Sequence, residues 1–298
     1  MSKEPAPAHS YNHDHTTARQ FQQWTGSSYP LPADAKEKER LQLQHDAIKK
    51  LYEDRILLAP VDLDKKASVL ETGTGSGIWV VDLAGRKSNI DIVAVDIESR
   101  NWPTSPPKNI EFILGTVLEL PKEWDNKFAL VHQRLLLLAL AREQWPVALK
   151  EMYRVLKPGG WVQLGETKIW PNDFKDPARP CTEKLATLYR ALADSKELYI
   201  DCAESLGKML AAAGFTNIKG EIRMQEMGVW AGERGEAWRK DWVGVFNGIE
   251  TSVMDNNGFD VVKSMEEYDL LLDGFEEECD TVKGGALEFI IFYAQKPL

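Results

Sequence analysis

The chain has 298 residues, 43% of them hydrophobic, enough for one large core with a modest cap because single cores stop growing near this size. Its 46 acidic against 36 basic side chains leave a formal charge of −10, which repels phosphate backbones, and no Lys/Arg run interleaved with aromatics offsets it, so nucleic acid is not an expected partner. No apolar run approaches the ~18 residues of a membrane span, and the opening MSKEPAPAHSYNHDH lacks a signal peptide's apolar centre; a soluble, cytoplasmic protein is expected.

Residues 1–33, rich in Pro, Ser, His and Ala, read as a flexible tail that becomes ordered only near its end. His9, His13 and His15 lack Cys or acidic co-ligands, so they read as solvated rather than metal-binding. From Asp34 to Leu58, Leu41, Ile48, Leu51 and Ile56 recur at helical spacing among charges, which predicts a long amphipathic helix. Short buried-type strands follow at ASVLET (67–72), DIVAVD (91–96), IEFILG (110–115), FALVHQ (128–133) and GWVQLGE (160–166). A helix is expected over GIWVVDLAGRK, and another over REQWPVALKEMYRVL, closed by a Pro-Gly-Gly turn. Strand–helix alternation of this kind predicts parallel strands with right-handed crossovers, hence an α/β doubly wound sheet.

Downstream, a helix is expected at 203–215, a strand at IKGEIRMQEM, helices near 233–254 and 264–280, and a last strand at 286–295. The expected organisation is one domain over 34–298, with cap or lid elements at about 170–202 and 230–282. Cys181, Cys202 and Cys279 are widely spaced and odd in number, which reads as reduced thiols.

The stretch VLETGTGSGIW, at the first strand–helix turn, concentrates the chemistry. In a doubly wound sheet the ligand sits outside the carboxyl ends of the strands, and Gly73, Gly75 and Gly77 bare the backbone there. A dinucleotide fingerprint GxGxxG would place its third glycine at 78, where this chain has Ile78. Glu71 would repel a pyrophosphate, whereas it suits the ammonium and sulfonium of S-adenosylmethionine. Asp96, at the end of the second strand, is placed to accept ribose hydroxyls, a demand that cofactor shares with NAD.

VLETGTGSGIW, VAVDIES, FILGTVLELP and RVLKPGGWVQLGE resemble the successive motifs of class I S-adenosylmethionine-dependent methyltransferases, and YPLPADAKEKERLQLQHD is similar to the introductory segment of a fungal TAM-domain or UMTA-type group that includes the velvet-associated secondary-metabolism methyltransferases. The resemblance spans about residues 28–168 and implies a mostly parallel seven-stranded Rossmann-like sheet, with an N-terminal helix, a helical cap and an antiparallel last strand. It puts Glu71, Gly73, Thr74 and Gly75 around the methionine part, Asp96 on the ribose, and Ile97 beside the adenine. Thr116 stands where the family often has an acid, leaving adenine recognition to its hydroxyl or to the Val117 backbone. Glu71 replaces a usual aspartate, and Tyr29 is implied to close over the cofactor.

Methyl transfer from a sulfonium is an in-line displacement, so alignment of the acceptor and exclusion of water carry the catalytic burden. A phenol, with a pKa of about 10, also gains from a base. His132, at the end of the fourth strand, is the sequence candidate for that base, against a structural role. Arg134 is a candidate to bind an acidic substrate group or to hold the loop; Glu166, ending the fifth strand, is a candidate to orient the acceptor or act as base, against a solvated or structural role. Asn172, Asp173 and Asp176 lie in a Pro-rich loop without ligand spacing, so no metal is expected. Of ten tryptophans, Trp102, Trp170, Trp230, Trp238 and Trp242 lie outside the central strands, as core of the cap or as walls for an aromatic acceptor. The expected activity is methylation of a small acceptor, with a phenolic or secondary-metabolite hydroxyl favoured. The rivals are an S-adenosylmethionine-binding regulator or non-methylating enzyme of the same fold, and a nicotinamide oxidoreductase.

Overall fold

A computed structural model describes residues 18–298, so His9, His13 and His15 lie outside the described residues. Helix α1 (Ala35–Leu51) begins at Asp34, whose carboxylate accepts from the Glu37 N–H and pairs with Arg19 at 2.6 Å. It stops a helical turn and more short of the predicted Leu58. Glu53 and Asp54 adopt positive φ, and the Gln163 side chain then pins the next segment, accepting from Leu58 and Ala59 N–H at 2.7 and 3.0 Å and donating to Ile56 C=O.

Strands β1 (Ser68–Thr72), β2 (Asp91–Asp96), β3 (Ile110–Leu114), β4 (Phe128–Arg134) and β5 (Leu156–Lys168) lie on the expected runs, joined by α2 (Ile78–Arg86) and α3 (Gln144–Val155). After these come α4 (Pro180–Ser195), α5 (Cys202–Ala212), β6 (Thr216–Glu226), α6 (Gly232–Met254), α7 (Met265–Thr281) and β7 (Ala286–Gln295). The seven strands form one sheet in the order β3-β2-β1-β4-β5-β7-β6, parallel except for β7, which runs antiparallel to both β5 and β6.

Pro158-Gly159-Gly160 does not make the expected turn. It bulges inside β5, between the pairs Phe128↔Leu156 and Leu130↔Trp161, with Gly159 at φ 75° donating to Lys296 C=O at 2.9 Å. Proline has no N–H for the ladder, so the extra residues leave it here and the chain's end accepts them.

Among the described residues, buried apolar side chains form two clusters. Trp79, Val80 and Leu83 of α2 pack with Val69, Ile92 and Leu130, and a larger cluster spreads from α3 and β5 into α4, α6 and α7. That larger core is strongly aromatic: Trp170 meets Trp242 edge-on at 4.9 Å, and Phe246 meets Phe275 at 5.3 Å. Trp102 instead packs on Phe112, and the Trp230 indole donates to Cys279 C=O.

Helix α6 reaches back over α1 because two of its residues lack a Cβ. A methyl at Gly244 would lie 2.8 Å from the Arg40 chain, and one at Gly248 would lie 2.5 Å from Leu31. This contact seats α1 and the segment before it beside the carboxyl ends of the strands. No described helix is long and apolar enough to cross a membrane.

Candidate active site

A cavity of about 410 Å³ opens at the carboxyl ends of β1, β2 and β4, where the fold predicts a ligand site. Tyr29, Glu71, Gly73, Thr74, Gly75, Asp96, Ile97, Thr116 and Val117 all line it. The turn after β1 needs its glycines first for backbone shape: Gly73 and Gly75 have φ of 64° and 57°, the left-handed region that side chains resist. They differ in what they face. A Cβ at Gly73 would strike Leu136 at 2.7 Å, whereas one at Gly75 meets only Leu41 at 3.4 Å, so Gly75 is the position where bare backbone meets the cavity.

Glu71 is 2% exposed; it accepts from the Thr74 hydroxyl and lies 3.0 Å from His132 Nδ1. Burial pushes its carboxyl up to about 8, although the Arg134 guanidinium and the Thr74 hydroxyl oppose that rise. Asp96 accepts from Gly75 N–H at 2.7 Å and Glu98 N–H at 3.0 Å, which ties the end of β2 to the glycine turn. Burial raises its carboxyl to about 7, against the pull of those same N–H groups. The Thr116 hydroxyl accepts from Leu118 N–H and so shapes its own turn beside the cavity.

The fold gives the three residues expected to do catalysis different surroundings. His132 is buried and does not line the main cavity: its ring stacks on Trp79 at 3.6 Å and 6°, and its Nδ1 is spent on Glu71. Burial, with the nearby Arg134 charge, holds it well below an ordinary histidine pKa. It therefore supports Glu71 from behind, and the catalytic-base assignment is corrected. The reason is Trp79 of α2, whose ring covers His132 on the strand face it shares with Glu71 and Arg134.

Glu166 is fully buried and also outside the cavity lining. It accepts from Leu136 N–H at 2.9 Å and Leu137 N–H at 3.3 Å, so it holds the loop after β4 and does not orient an acceptor directly. Arg134 does line the cavity, and its Nη2 lies 3.1 Å from His45 Nδ1.

The rest of the wall comes from elements without a motif. Leu137, Leu138, Tyr189, Trp238, Trp242 and Val245 supply apolar surface. Beside them runs a buried polar network: Arg40 donates to Glu37 at 2.9 and 2.6 Å and to Asp241 at 2.7 Å, while Gln44 donates to Asp241 at 3.1 Å. Glu37, Arg40 and Gln44 sit three and four residues apart on α1, a spacing that marks one helix face, but their partner on α6 is 201 residues from Arg40. Residues 22–27 also reach the cavity through Gln22 and Trp24, and Arg100 fastens this strap by donating to Phe21 C=O at 2.6 Å. Asp176 pairs with Arg179, and among the described residues no group of three or more His, Cys, Asp or Glu is placed to hold a metal ion.

Residues 69–160 match a family model described as a methyltransferase domain. The chain is 28% identical over 279 residues to the N-methyltransferase sirN of Leptosphaeria maculans, covering 91% of this chain and 95% of that protein. It is 26% identical over 257 residues to the secondary metabolism regulator LAE1 of Cochliobolus heterostrophus, covering 83% and 81%. Among solved structures, Haemonchus contortus phosphoethanolamine N-methyltransferase 2, in complex with phosphomonomethylethanolamine and S-adenosylhomocysteine, matches with a TM-score of 0.51 at 16% identity over 87% of this chain. This chain spans about half, 52%, of that structure's length, and the likeness is one of fold.

Proposed function

We propose that the chain is a class I S-adenosylmethionine-dependent methyltransferase, as its match to a methyltransferase-domain model and its likeness to fungal methyltransferases support, and that it methylates a nitrogen of a small, largely apolar acceptor. The observation that carries the donor assignment is a buried carboxylate, Glu71, directly beside a turn bare at Gly75, in a cavity of about 410 Å³. That volume is in the range of small-molecule sites, roughly 300–1,000 Å³. The donor supplies a methyl group on a positively charged sulfur. Glu71 would face its cationic amino-acid end, Asp96 would accept from its ribose, and Ile97, Thr116 and Val117 would border its adenine, with Tyr29 over it.

Nitrogen is favoured over the phenolic hydroxyl expected from sequence. A phenol must lose a proton held with a pKa of about 10, whereas a weakly basic amine, already neutral at pH 7, attacks through its lone pair and sheds its proton to water afterwards. His132 and Glu166, the groups expected to help at the acceptor, are spent on Glu71 and on loop N–H groups. A relative named as an N-methyltransferase agrees with this reading. The acceptor's surroundings would be Tyr189, Trp238, Trp242 and the leucines after β4, which exclude water and fit a flat apolar molecule.

Incubation with methyl-labelled S-adenosylmethionine and a panel of hydrophobic amines, amides, phenols and thiols tests the proposal. Label in nitrogen compounds is expected. Label in phenols alone would overturn the nitrogen assignment, and tight donor binding without any transfer would favour a regulatory role, the second reading that the likeness to LAE1 supports.

Proton linkage supplies an independent check. Glu71 at about 8 and Asp96 at about 7 both hold protons in the empty protein below those values. A cationic ligand favours their ionised forms, so donor binding should release protons at pH 7, and affinity should rise as pH increases from about 5 to 8. Calorimetry in buffers of different ionisation enthalpy reads this directly; proton uptake would contradict it. Because both folded values exceed the unfolded ones, the native state holds more protons through that window, and the empty protein should melt lower as pH rises across it.

A further inference from the structure

Arg134 is a cation with little to bind. It ends β4 two residues past His132, the register partner of Glu71, and alternation puts its side chain on the same face as those two. Its one hydrogen bond among the described residues runs from Nη2 to His45 Nδ1 at 3.1 Å, and Nε and Nη1 donate to no protein acceptor there. Glu71 is the strongest opposite charge acting on it, followed by Asp241 and Asp82. All three are already engaged: Asp241 by Arg40 and Gln44, Asp82 by His45, Lys49 and Arg86, and Glu71 by Thr74 and His132.

The guanidinium is nevertheless held in one orientation. Because His45 Nδ1 accepts from Arg134, its Nε2 carries the proton and donates to Asp82 at 3.0 Å, giving a chain Arg134–His45–Asp82 across β4, α1 and α2. Lys49 at 3.1 Å and Arg86 at 2.7 Å fix the far end of that chain. Desolvating a guanidinium is costly unless an anion meets it, so a rigidly aimed one with unspent donors, lining a cavity, marks the place of a ligand's negative group.

We propose that Arg134 binds the carboxylate of the methyl donor's amino-acid end while Glu71 binds its ammonium, the two side chains forming a clamp for a zwitterion and His45 with Asp82 positioning the guanidinium. This rests on the donor assignment above and adds to it which protein groups recognise each end of the α-amino acid. An isolated carboxylate such as Glu71 would select any cation; paired with Arg134 it selects opposite charges a few bonds apart.

Three ligands separate the contributions when titrated by calorimetry: S-adenosylhomocysteine, its decarboxylated analogue, which keeps the ammonium, and 5′-methylthioadenosine, which lacks the amino-acid part. Arg134→Gln should weaken S-adenosylhomocysteine about thirtyfold while leaving the other two within about twofold, as the loss of a charge-assisted hydrogen-bond pair requires. Arg134→Lys should recover part of the loss, and His45→Phe should reproduce part of it on S-adenosylhomocysteine alone. Glu71→Gln should weaken both ammonium-bearing ligands and spare 5′-methylthioadenosine, whose retained binding also shows that the variants fold. Equal losses for all three ligands in Arg134→Gln would reveal a merely structural residue. No loss for any would mean that the guanidinium serves an anion on the acceptor; either result overturns the clamp. If the unsubstituted protein bound none of the three, the donor assignment itself would fall with it, an outcome distinct from wild-type binding of all three with a flat response to Arg134→Gln.

Discussion

Arg40→Met is expected to cost about 3–5 kcal/mol of stability, because it strands two buried carboxylates. Glu37 and Asp241 are 2% and 3% exposed, and Arg40 bridges them with a two-pronged contact to one and a 2.7 Å contact to the other. Removing a single partner leaves uncompensated charge in a place that water reaches poorly, which is the expensive way to break such a network. For a chain of this size the melting temperature should fall by on the order of 10 °C, read by calorimetry or circular dichroism. A companion variant discriminates the cause: Glu37→Leu, Arg40→Met and Asp241→Leu together remove every charge and should recover most of the loss. A single-variant cost under about 1 kcal/mol would mean that the network is solvated in practice. Since the network joins α1 to α6 at the cavity wall, the destabilised variant should also bind S-adenosylhomocysteine more weakly.

Asp96→Ala should lower S-adenosylhomocysteine affinity about a hundredfold, through two losses that act together. On the proposed reading the carboxylate accepts from ribose hydroxyls, and it also holds Gly75 N–H at 2.7 Å, which keeps the bare stretch of backbone facing the cavity. Asp96→Asn should fall between, since an amide oxygen can keep one of the two backbone contacts but lacks the charge that strengthens the others. Calorimetric titration reads both variants. Unchanged affinity in Asp96→Ala would contradict the ribose assignment outright, whatever the variant did to stability.

The sequence carried most of the architecture because the strands are short buried runs with sharp edges. β2 and β7 fall on the expected residues, and β1, β3 and β4 differ by one residue at an end. The misreadings have local causes that lie elsewhere in the chain: α1 ends early because Gln163 pins Ile56 to Ala59, and the Pro-Gly-Gly stretch bulges within β5 because Lys296 takes up the Gly159 N–H. Residues 18–33, expected to order only toward their end, are fastened by Arg19 to Asp34 and by Arg100 to Phe21. Nothing in their composition announces that contact, since both anchoring arginines look like ordinary exposed charges.

Within the site, position along a strand was legible and direction was not. All nine residues expected at the cofactor line one cavity, because a glycine turn and strand-end acids occupy places the doubly wound topology defines in advance. His132 and Glu166 also stand at or near strand ends, yet one packs under Trp79 and the other caps a loop. Whether a strand-end side chain is open depends on what the other segments lay against it.

The amino-acid sequence alone determined the α/β layering, the order of its elements and the turn beside Glu71, since these follow from hydrophobic periodicity and from glycine's freedom at positive φ. Only the tertiary structure decided that Arg40 joins Glu37 to Asp241, that His45 aims Arg134, and that α6 walls the cavity. Those contacts pair residues 89 and 201 positions apart, and they exist because packing two helices beside the carboxyl ends of the strands removes their charges from water and obliges each to find a partner.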